Sequence, residues 1–300
     1  MLKRKFHVLA GVISLSLGAP ALAQSAPAKL PDADPALWVV KDKDTTIYLF
    51  GTFHLLDGKQ DWFNDEVKTA FDASQELVLE AKMPENPADL QPLVIKYAID
   101  PAGKTLSSKL PAATMEKVGK ELSAVGVPAK AFDPMEPWFV AMTLGALNAQ
   151  KLGLKAENGP EMILSAAAKS NKKTIGELEG FDYQFRMFDS LPEKQQIAYL
   201  ESSLESMPKL PKMMNAMVAD WSSGNVEGLA KMLNDAADDD PAIYDMLLAK
   251  RNANWADWID KRLDQPGTVF VAVGAGHLAG KTSVQDYLKK RGIESARVPQ

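Results

Sequence analysis

Two histidines in the chain stand in matching Gly-x-x-His segments. Gly51-Thr52-Phe53-His54 directly follows the apolar run 47–50, and Gly274-Ala275-Gly276-His277 directly follows the apolar run 269–273. The third histidine of the sequence, His7, lies in a segment with the features of a removable leader. Imidazole binds metal ions and transfers protons near neutral pH. Because the two remaining imidazoles share one local context, a joint functional role is favoured over two separate structural roles.

A carboxylate at the end of another apolar run extends this pair. Glu80 stands near the end of 76–81, a run typical of a strand that is covered on both faces. An ionised carboxylate there is costly unless it is paired, hydrogen-bonded or bound to a metal. Two imidazoles and one carboxylate suit a zinc site, or a facial triad that holds Mn, Fe or Co. The sequence therefore predicts a divalent metal ion bound by His54, Glu80 and His277, although no His-Glu-x-x-His segment supports it locally.

Two further charged residues are candidates for catalysis. Glu179 ends the predicted short strand 174–179, and it could supply a ligand or general base, or cap the helix that begins near Phe181. The sequence leaves these alternatives open. Arg251 lies on the core-facing side of an otherwise apolar helical stripe. A guanidinium in that position usually pairs with a carboxylate, and at a catalytic site it stabilises developing negative charge.

Other chemistries have less support. The group Met207, Met213, Met214 and Met217 could bind copper, but a flexible core stripe is the favoured interpretation. The glycines of 274–276 lack the rest of a dinucleotide fingerprint, and no Gly-x-Ser-x-Gly elbow is present. The chain has no cysteine, which excludes disulfides, thiolate metal ligands and cysteine nucleophiles.

The N-terminal residues predict export. Lys3-Arg4-Lys5 is followed by an apolar region at 8–17 and by Ala21-Leu22-Ala23, so we expect a signal peptide over 1–23 that is cleaved after Ala23. The apolar region is too short for a comfortable membrane span, and we expect no stable membrane insertion after cleavage. Removing three basic residues leaves 31 basic and 39 acidic side chains, a formal charge of −8 that argues against nucleic acid as a partner. The predicted location is the periplasm or the extracellular space.

The apolar patterns predict a central mixed sheet built from the N- and C-terminal segments, with a large helical insertion at about 84–265. This is an α/β (α+β) fold in a single domain over 37–300, preceded by a disordered linker at 24–36. Strands are expected at 37–40, 46–50, 76–81, 174–179, 268–273 and 295–298. Helices are expected at 64–74, 112–125, from 137, at 159–169, 182–189, through most of 192–265 with a long final helix after 241, and at 282–291.

Four segments of the sequence form a recognisable set: Leu49-Phe50-Gly51-Thr52-Phe53-His54, Leu79-Glu80-Ala81, Arg251-Asn252 with Trp255, and Val273-Gly274-Ala275-Gly276-His277-Leu278. Together these motifs resemble the TraB/GumN family, which is related to TIKI-type metalloproteases and more distantly to erythromycin-esterase-like and ChaN-like proteins. The resemblance covers about 37–298, nearly all of the chain after the predicted leader.

The resemblance implies an α/β core with an inserted helical region and a site built from both histidine motifs and the strand-end glutamate. By position, His54, Glu80 and His277 take these roles, and Arg251 matches the helix arginine of the family. Leu178-Glu179 with Gln184 also resembles a family element. The family often has Gly-Val-Asp where this chain has Gly159-Pro160-Glu161, so the resemblance does not carry a ligand or capping role onto that segment.

The leading hypothesis is a periplasmic metal-dependent hydrolase, more specifically a peptidase with a peptide substrate. His54, Glu80 and His277 would bind Zn, Mn, Co or Fe, and Arg251 and Glu179 would assist catalysis. One alternative is a non-enzymatic protein that binds haem or a metal ion, since ChaN-like relatives suggest a connection to iron. Another is an accessory protein of polysaccharide export, in which the histidine motifs are structural.

Overall fold

A mixed sheet of six strands lies at the centre of the residues that the computed structural model describes, 29–239 and 241–299. The strands are β1 (Leu37–Lys41), β2 (Thr45–Thr52), β3 (Glu76–Leu79), β4 (Thr174–Glu177), β5 (Gly267–Gly274) and β6 (Ser295–Arg297). Their order across the sheet is β4-β3-β5-β2-β1-β6. Strands β2, β5, β3 and β4 are parallel, whereas β1 is antiparallel to both β2 and β6. The predicted fold class, with N- and C-terminal segments sharing one mixed sheet, is confirmed.

Helices make up most of the remaining described chain. They are α1 (Asp65–Ala73), α2 (Gln91–Tyr97), α3 (Leu106–Lys109), α4 (Ala112–Ala124), α5 (Pro137–Lys151), α6 (Pro160–Ser170), α7 (Phe181–Asp189), α8 (Glu193–Ser206), α9 (Leu210–Ser222), α10 (Val226–Asp239), α11 (Pro241–Tyr244), α12 (Lys250–Leu263) and α13 (Val284–Lys290). Most lie between β3 and β5, as the predicted helical insertion requires. Within the described residues, no helix is both long and apolar enough to cross a membrane.

Several predicted boundaries differ from the structure. Strand β3 ends at Leu79 rather than at 81, so Glu80 directly follows the strand. Strand β4 ends at Glu177, so Glu179 lies in the connection to α7 rather than in a strand. The expected long final helix is divided, because the π-helical segment Asp245–Ala249 separates α11 from α12. The predicted linker is also too long. Backbone hydrogen bonds from Ala33 to Asp61 and from Asp34 to Ser222 hold its last residues against the fold. The predicted leader lies outside the described residues.

The sheet buries different side chains on its two faces because successive residues of a strand point in opposite directions. One face packs aromatic residues, including Phe50, Phe270 and Trp221. The other packs aliphatic residues such as Leu49 and Val271 against α12 and α13. Both faces of β2 and β5 are therefore covered, which explains why their sequences are continuous apolar runs rather than alternating patterns.

Trp221 joins the helical insertion to the strand that precedes His54. Its indole Nε1–H donates to the carbonyl oxygen of Gly51 at 2.7 Å, and the side chain is buried on the aromatic face. The ring lies 6.2 Å from Trp62 and 6.3 Å from Phe53, measured between ring centroids. The tryptophan thus fixes the end of β2 through both a hydrogen bond and close packing.

We expect Trp221→Phe to lower the free energy of unfolding by about 2 to 4 kcal/mol, since it leaves a buried carbonyl without its donor and opens a cavity. Chemical denaturation followed by circular dichroism measures this loss. Trp258→Phe is the matched control, because Trp258 is only partly buried on α12. Equal losses in the two variants would contradict the role assigned to Trp221.

Candidate active site

The sheet brings the ends of three parallel strands to one edge. Thr52 at the end of β2 is opposite Gly274 at the end of β5, and Leu79 at the end of β3 is opposite Ala272. The segments that carry His54, Glu80 and His277 leave the sheet from these neighbouring positions. This placement follows the general rule that ligand sites in open α/β sheets lie at the carboxyl ends of the strands.

Glycines allow these segments to approach closely. A Cβ atom on Gly51 would lie 3.1 Å from the Cα atom of Ala275, so the turn after β5 packs directly on β2. A Cβ atom on Gly159 would lie 2.4 Å from the carbonyl oxygen of His54, a distance that side chains do not tolerate. The start of α6 can therefore touch the His54 loop only because residue 159 is a glycine.

Arg251 lies at the floor of the site between two buried carboxylates. Its Nη2 atom is 2.5 Å from Oε2 of Glu80 and 2.5 Å from Oε1 of Glu179, and its Nε atom also donates to Glu179. Nη1 donates to the carbonyl oxygen of Leu247 in the π-helical segment. The side chains of Arg251, Glu80 and Glu179 are 8%, 11% and 6% exposed, so this network is almost fully shielded from solvent.

Glu179 has a structural partner rather than a helix to cap. Both of its carboxylate oxygens accept from Arg251, and Gln184 and Trp255 donate to it as well. The N-cap residue of α7 is Gly180, without a side-chain capping bond. Of the roles left open by the sequence, helix capping is excluded, and the carboxylate serves to hold the guanidinium.

Glu80 remains ionised despite its burial. Desolvation raises its pKa, but the charges of its neighbours and a hydrogen bond from the backbone N–H of Gly274 lower the pKa to about 2. The N–H of Gly274 donates to Oε1 at 2.7 Å, while Oε2 accepts from Arg251. The prediction that a carboxylate at this strand end needs compensating partners is thus met by Arg251 and a backbone amide.

His277 is buried and neutral. Its Nδ1 atom is 2.5 Å from Oδ1 of Asn252, whose Nδ2 donates to the carbonyl oxygen of Thr282. Asn252 therefore presents an acceptor, which assigns the proton to Nδ1 and leaves Nε2 to accept from Arg251 at 3.1 Å. Burial lowers the pKa of His277 to about 3, with the nearby charge of Glu80 opposing this shift.

His54 differs from His277 in its exposure, its hydrogen-bond partner and the direction in which its pKa is shifted. It lies in the mouth of a cleft, where 68% of its side chain is exposed, and its Nδ1 atom is 2.6 Å from Oε1 of Glu161. Thr52 donates to the same oxygen through its hydroxyl group. The protein walls around the ring lower its pKa through desolvation, yet the carboxylate of Glu161 outweighs this and raises the pKa to about 9.

The three predicted metal ligands do not form a compact set. Among the described residues, the only three His, Asp or Glu side chains with donor atoms all within 4.8 Å of one another are the exposed Asp32, Asp34 and Asp65. Both ring nitrogens of His277 already have protein partners. The expectation that His277 is a free ligand therefore disagrees with the geometry, because Asn252 and Arg251 occupy its ring.

His54, Glu80 and Glu161 line the same cleft and supply donor types suited to a divalent cation, but as positioned their donor atoms do not all lie within 4.8 Å of one another either. Only Nδ1 of His54 has a hydrogen-bond partner among the described residues, so Nε2 is accessible from the cleft. Because the pKa of His54 is raised to about 9, a cation that binds Nε2 would have to displace a proton. Glu80 and Glu179 place two carboxylates on the single guanidinium of Arg251, whereas Glu161 and Glu80 both act on His54. A divalent cation in the cleft would take the place of the His54 proton beside these carboxylates, with His54, Glu80 and Glu161 as the residues that would hold it.

Glu161 is the site residue that sequence reasoning missed. It is the second residue of α6, where an acidic side chain is common because it interacts favourably with the helix dipole, so its type alone carried no functional signal. Gly159 beside it was the better indication, since it permits the contact with His54. Of the methionine group, Met207 and Met217 pack against apolar clusters, as the favoured core interpretation expects, whereas Met213 is exposed.

Comparison with known proteins gives the family of the chain. A model of the TraB/PrgY/gumN family matches residues 36–297. The chain belongs to this family. It is 30% identical to the Uncharacterized protein YbaP of Escherichia coli (strain K12), over 67% of this chain and 75% of that protein. The family expected from the histidine, glutamate and arginine motifs is thereby confirmed.

Two more distant relatives of the chain are named as metalloproteases. It is 24% identical to Metalloprotease TIKI1 of Danio rerio, over 89% of this chain and 64% of that protein. It is 21% identical to a Metalloprotease TIKI homolog of Nematostella vectensis, over 86% of this chain and 66% of that protein. No solved structure matches the chain.

We expect Arg251→Met to lower the free energy of unfolding by about 3 to 5 kcal/mol, because it leaves Glu80 and Glu179 buried without a counter-charge. Arg291→Met is the matched control. Arg291 also binds a carboxylate, that of Asp257, but 54% of that side chain is exposed, so its loss should cost less than about 1 kcal/mol. Denaturant titration at pH 7 measures both. A similar cost for the two substitutions would argue against a buried charge network.

We expect the two histidines to titrate far apart in chelator-treated protein. Imidazole NMR should place the transition of His54 near pH 9 and keep His277 neutral to below pH 4, in line with pKa values of about 9 and about 3. Glu161→Gln should return His54 toward its ordinary pKa of 6.5, since the carboxylate is what raises it. Glu157→Gln, a change at an exposed neighbouring glutamate, should leave the transition in place. A His54 transition near 6.5 in the unmodified protein would refute the pairing.

Proposed function

We propose that this protein is a metal-dependent hydrolase, and more specifically a peptidase, whose active site is the cleft of His54, Glu80 and Glu161. The observation that carries the proposal is an exposed imidazole, His54, that shares one cleft with the carboxylates of Glu80 and Glu161. Distant relatives named as metalloproteases support the same reaction class.

Each residue of the site has a definable task. A divalent cation, when bound, supplies Lewis-acid polarisation of a carbonyl group and a water molecule of lowered pKa. Glu161 holds Nδ1 of His54, which orients the ring and leaves Nε2 toward the cleft. Arg251 and the N–H of Gly274 hold the carboxylate of Glu80 in one orientation. In peptide hydrolysis the oxygen of water bonds to the carbonyl carbon, the C–N bond breaks, and the amine leaves with a proton.

Arg251 and Glu179 are assigned positioning roles instead of direct catalysis. The guanidinium already contacts two carboxylates, a carbonyl oxygen and the His277 ring, and only 8% of it is exposed. It has no free donor directed to a substrate, so it does not serve as the anion clamp expected from the sequence. Its charge keeps Glu80 ionised beside His54, and Glu179 keeps the guanidinium in place.

We also propose that the protein acts in the periplasm or outside the cell, after cleavage of residues 1–23. The support is the sequence of basic residues, apolar region and Ala21-Leu22-Ala23 described above. The absence of cysteine suits an oxidising compartment because no thiol is available for unwanted oxidation.

We expect the purified protein to contain about one Mn, Fe, Co or Zn ion per chain and to hydrolyse peptides only when loaded. His54→Ala and Glu161→Gln should reduce both the metal content and the hydrolysis rate, the latter by at least about 100-fold because catalytic carboxylates and imidazoles contribute on this scale. Glu157→Gln should change neither. Elemental analysis and mass spectrometry of a peptide mixture provide the readouts.

A protein without metal, whose melting temperature is unchanged by all four ions, would contradict the proposal. A haem absorption band that forms on adding haem and is lost in His54→Ala, without peptide hydrolysis, would favour a haem-binding protein. Metal-free protein that neither hydrolyses peptides nor binds haem would favour a structural role of the histidine motifs, as in an accessory protein.

A further inference from the structure

The wall of the cleft opposite the charged residues is built from flexible apolar side chains. Met83, Met142 and Met162 line it and are 42%, 42% and 40% exposed, so three of the seven exposed large apolar side chains of the described residues cluster in this one cleft. They come from three different elements, namely the segment after β3, α5 and α6. Leu55 and Phe181 extend the same apolar surface. Methionine is unbranched and polarisable, so such a wall can adapt to apolar groups of different shape.

The size of this space limits what can occupy it. The cleft has a volume of about 300 Å³. This volume lies at the lower end of the range of about 300 to 1,000 Å³ that is typical of ligand pockets. It is enough for one large side chain with its adjoining peptide group.

The groove continues into a second cavity of different character. This cavity, of about 470 Å³, shares Leu79, Met83 and Met162 with the first, and it adds the charged or polar side chains of Lys82, Glu85, Ser165 and Lys169 beside the apolar Pro84, Ala166 and Ile175. The polar groups in this mixed lining suit the amide groups of an extended polypeptide, which need hydrogen-bond partners. Two adjoining cavities of this kind match a ligand with one apolar group followed by polar backbone.

One charged side chain of the second cavity has no ion-pair partner among the described residues. Lys169 forms an ion pair with Glu85 at 2.9 Å. The ammonium group of Lys82 is exposed and has no ion-pair partner within the part of the chain that the structure describes, although its backbone N–H donates to Glu177. An acidic side chain of a ligand would therefore be favoured beside Lys82.

We propose that the substrate of this cleft is an extended polypeptide with a large apolar side chain, such as Leu, Met or Phe, next to the scissile bond and an acidic residue a few positions further along. The apolar side chain packs on Met83, Met142 and Met162 while its peptide group lies beside His54. The polypeptide then passes Met83 toward Lys82. Testing this inference by cleavage rests on the proposed hydrolase function. Peptide binding to the cleft can be measured without turnover.

The experiment compares metal-loaded protein on peptides that differ at one position, with Leu, Met, Phe, Ala, Ser, Asp or Lys. We expect kcat/KM for the Leu, Met and Phe peptides to exceed that for the Ala peptide at least tenfold, because each missing methylene in an apolar pocket has an effect of this order. Met142→Asp should remove most of that preference. Met213→Asp is the matched control, since Met213 is also 42% exposed but lines neither cavity. Met162→Ala is a milder second variant that does not introduce a charge.

A test of Lys82 uses peptides with Asp or Asn placed beyond the apolar residue. Lys82→Gln should reduce the preference for Asp about fivefold at low ionic strength, and added salt should reduce it in the unmodified protein. Equal preference in both proteins would overturn the acidic part of the inference.

Binding to His54→Ala protein, measured by fluorescence anisotropy of a labelled Leu peptide, separates the two proposals. The peptide could bind, with Met142→Asp weakening the binding at least tenfold, while the unmodified protein hydrolyses no peptide. That result would refute the hydrolase and retain the polypeptide site. Hydrolysis at equal rates for all seven peptides would retain the hydrolase and overturn the substrate class. Faster hydrolysis of long-chain acyl esters than of any peptide would also overturn it.

Discussion

The arrangement of the site depends on one buried cation between two buried carboxylates. Arg251 reaches from α12 to Glu80 after β3 and to Glu179 after β4, so a single guanidinium connects the helical insertion to the sheet at two points. Burying three charges costs several kcal/mol per ion unless each is well paired. The short contacts and the additional donors from Gly274, Gln184 and Trp255 provide that pairing. The network therefore tolerates little displacement, and it defines where every neighbouring side chain can lie.

This network gives two histidines of the same motif opposite electrostatic properties. His277 lies against Arg251 and is neutral, whereas His54 lies against Glu161 and holds a proton. Stability should respond to pH accordingly. His277, with a pKa of about 3 against an ordinary 6.5, and Glu80, with about 2 against 4.5, contribute stability that is lost as the pH falls through these windows. The His54–Glu161 pair acts in the opposite sense: its contribution is full below pH 6.5 and is lost as the pH rises through about 9.

The sequence predicted the sheet and its site-bearing edge well, because continuous apolar runs and the glycines that follow them are local signals. Strands β2, β3 and β5 were recognised from such runs, and their parallel alignment places Glu80 beside both histidine motifs. It could not predict that His277 is turned inward, since this depends on Asn252 and Arg251 from a distant helix. The role of Glu161 also depends on a contact across 107 residues, between α6 and the loop after β2. The π-helical segment before Arg251 has no pattern that separates it from an α-helix.

The two halves of the cleft come from parts of the chain with different freedom to change. Glu80 and Arg251 are attached to the sheet and to α12, where packing on both faces fixes the backbone. The side chains of the methionine wall, Met83, Met142 and Met162, take no part in the Arg251 network, although α6 carries Glu161 as well as Met162. Substitutions in that wall can alter which ligand fits without unpairing a buried charge. A fold of this kind can therefore retain one reactive centre while its insertion adapts to different substrates. Family membership alone does not determine the substrate, because the residues of the wall differ from the residues of the reactive centre.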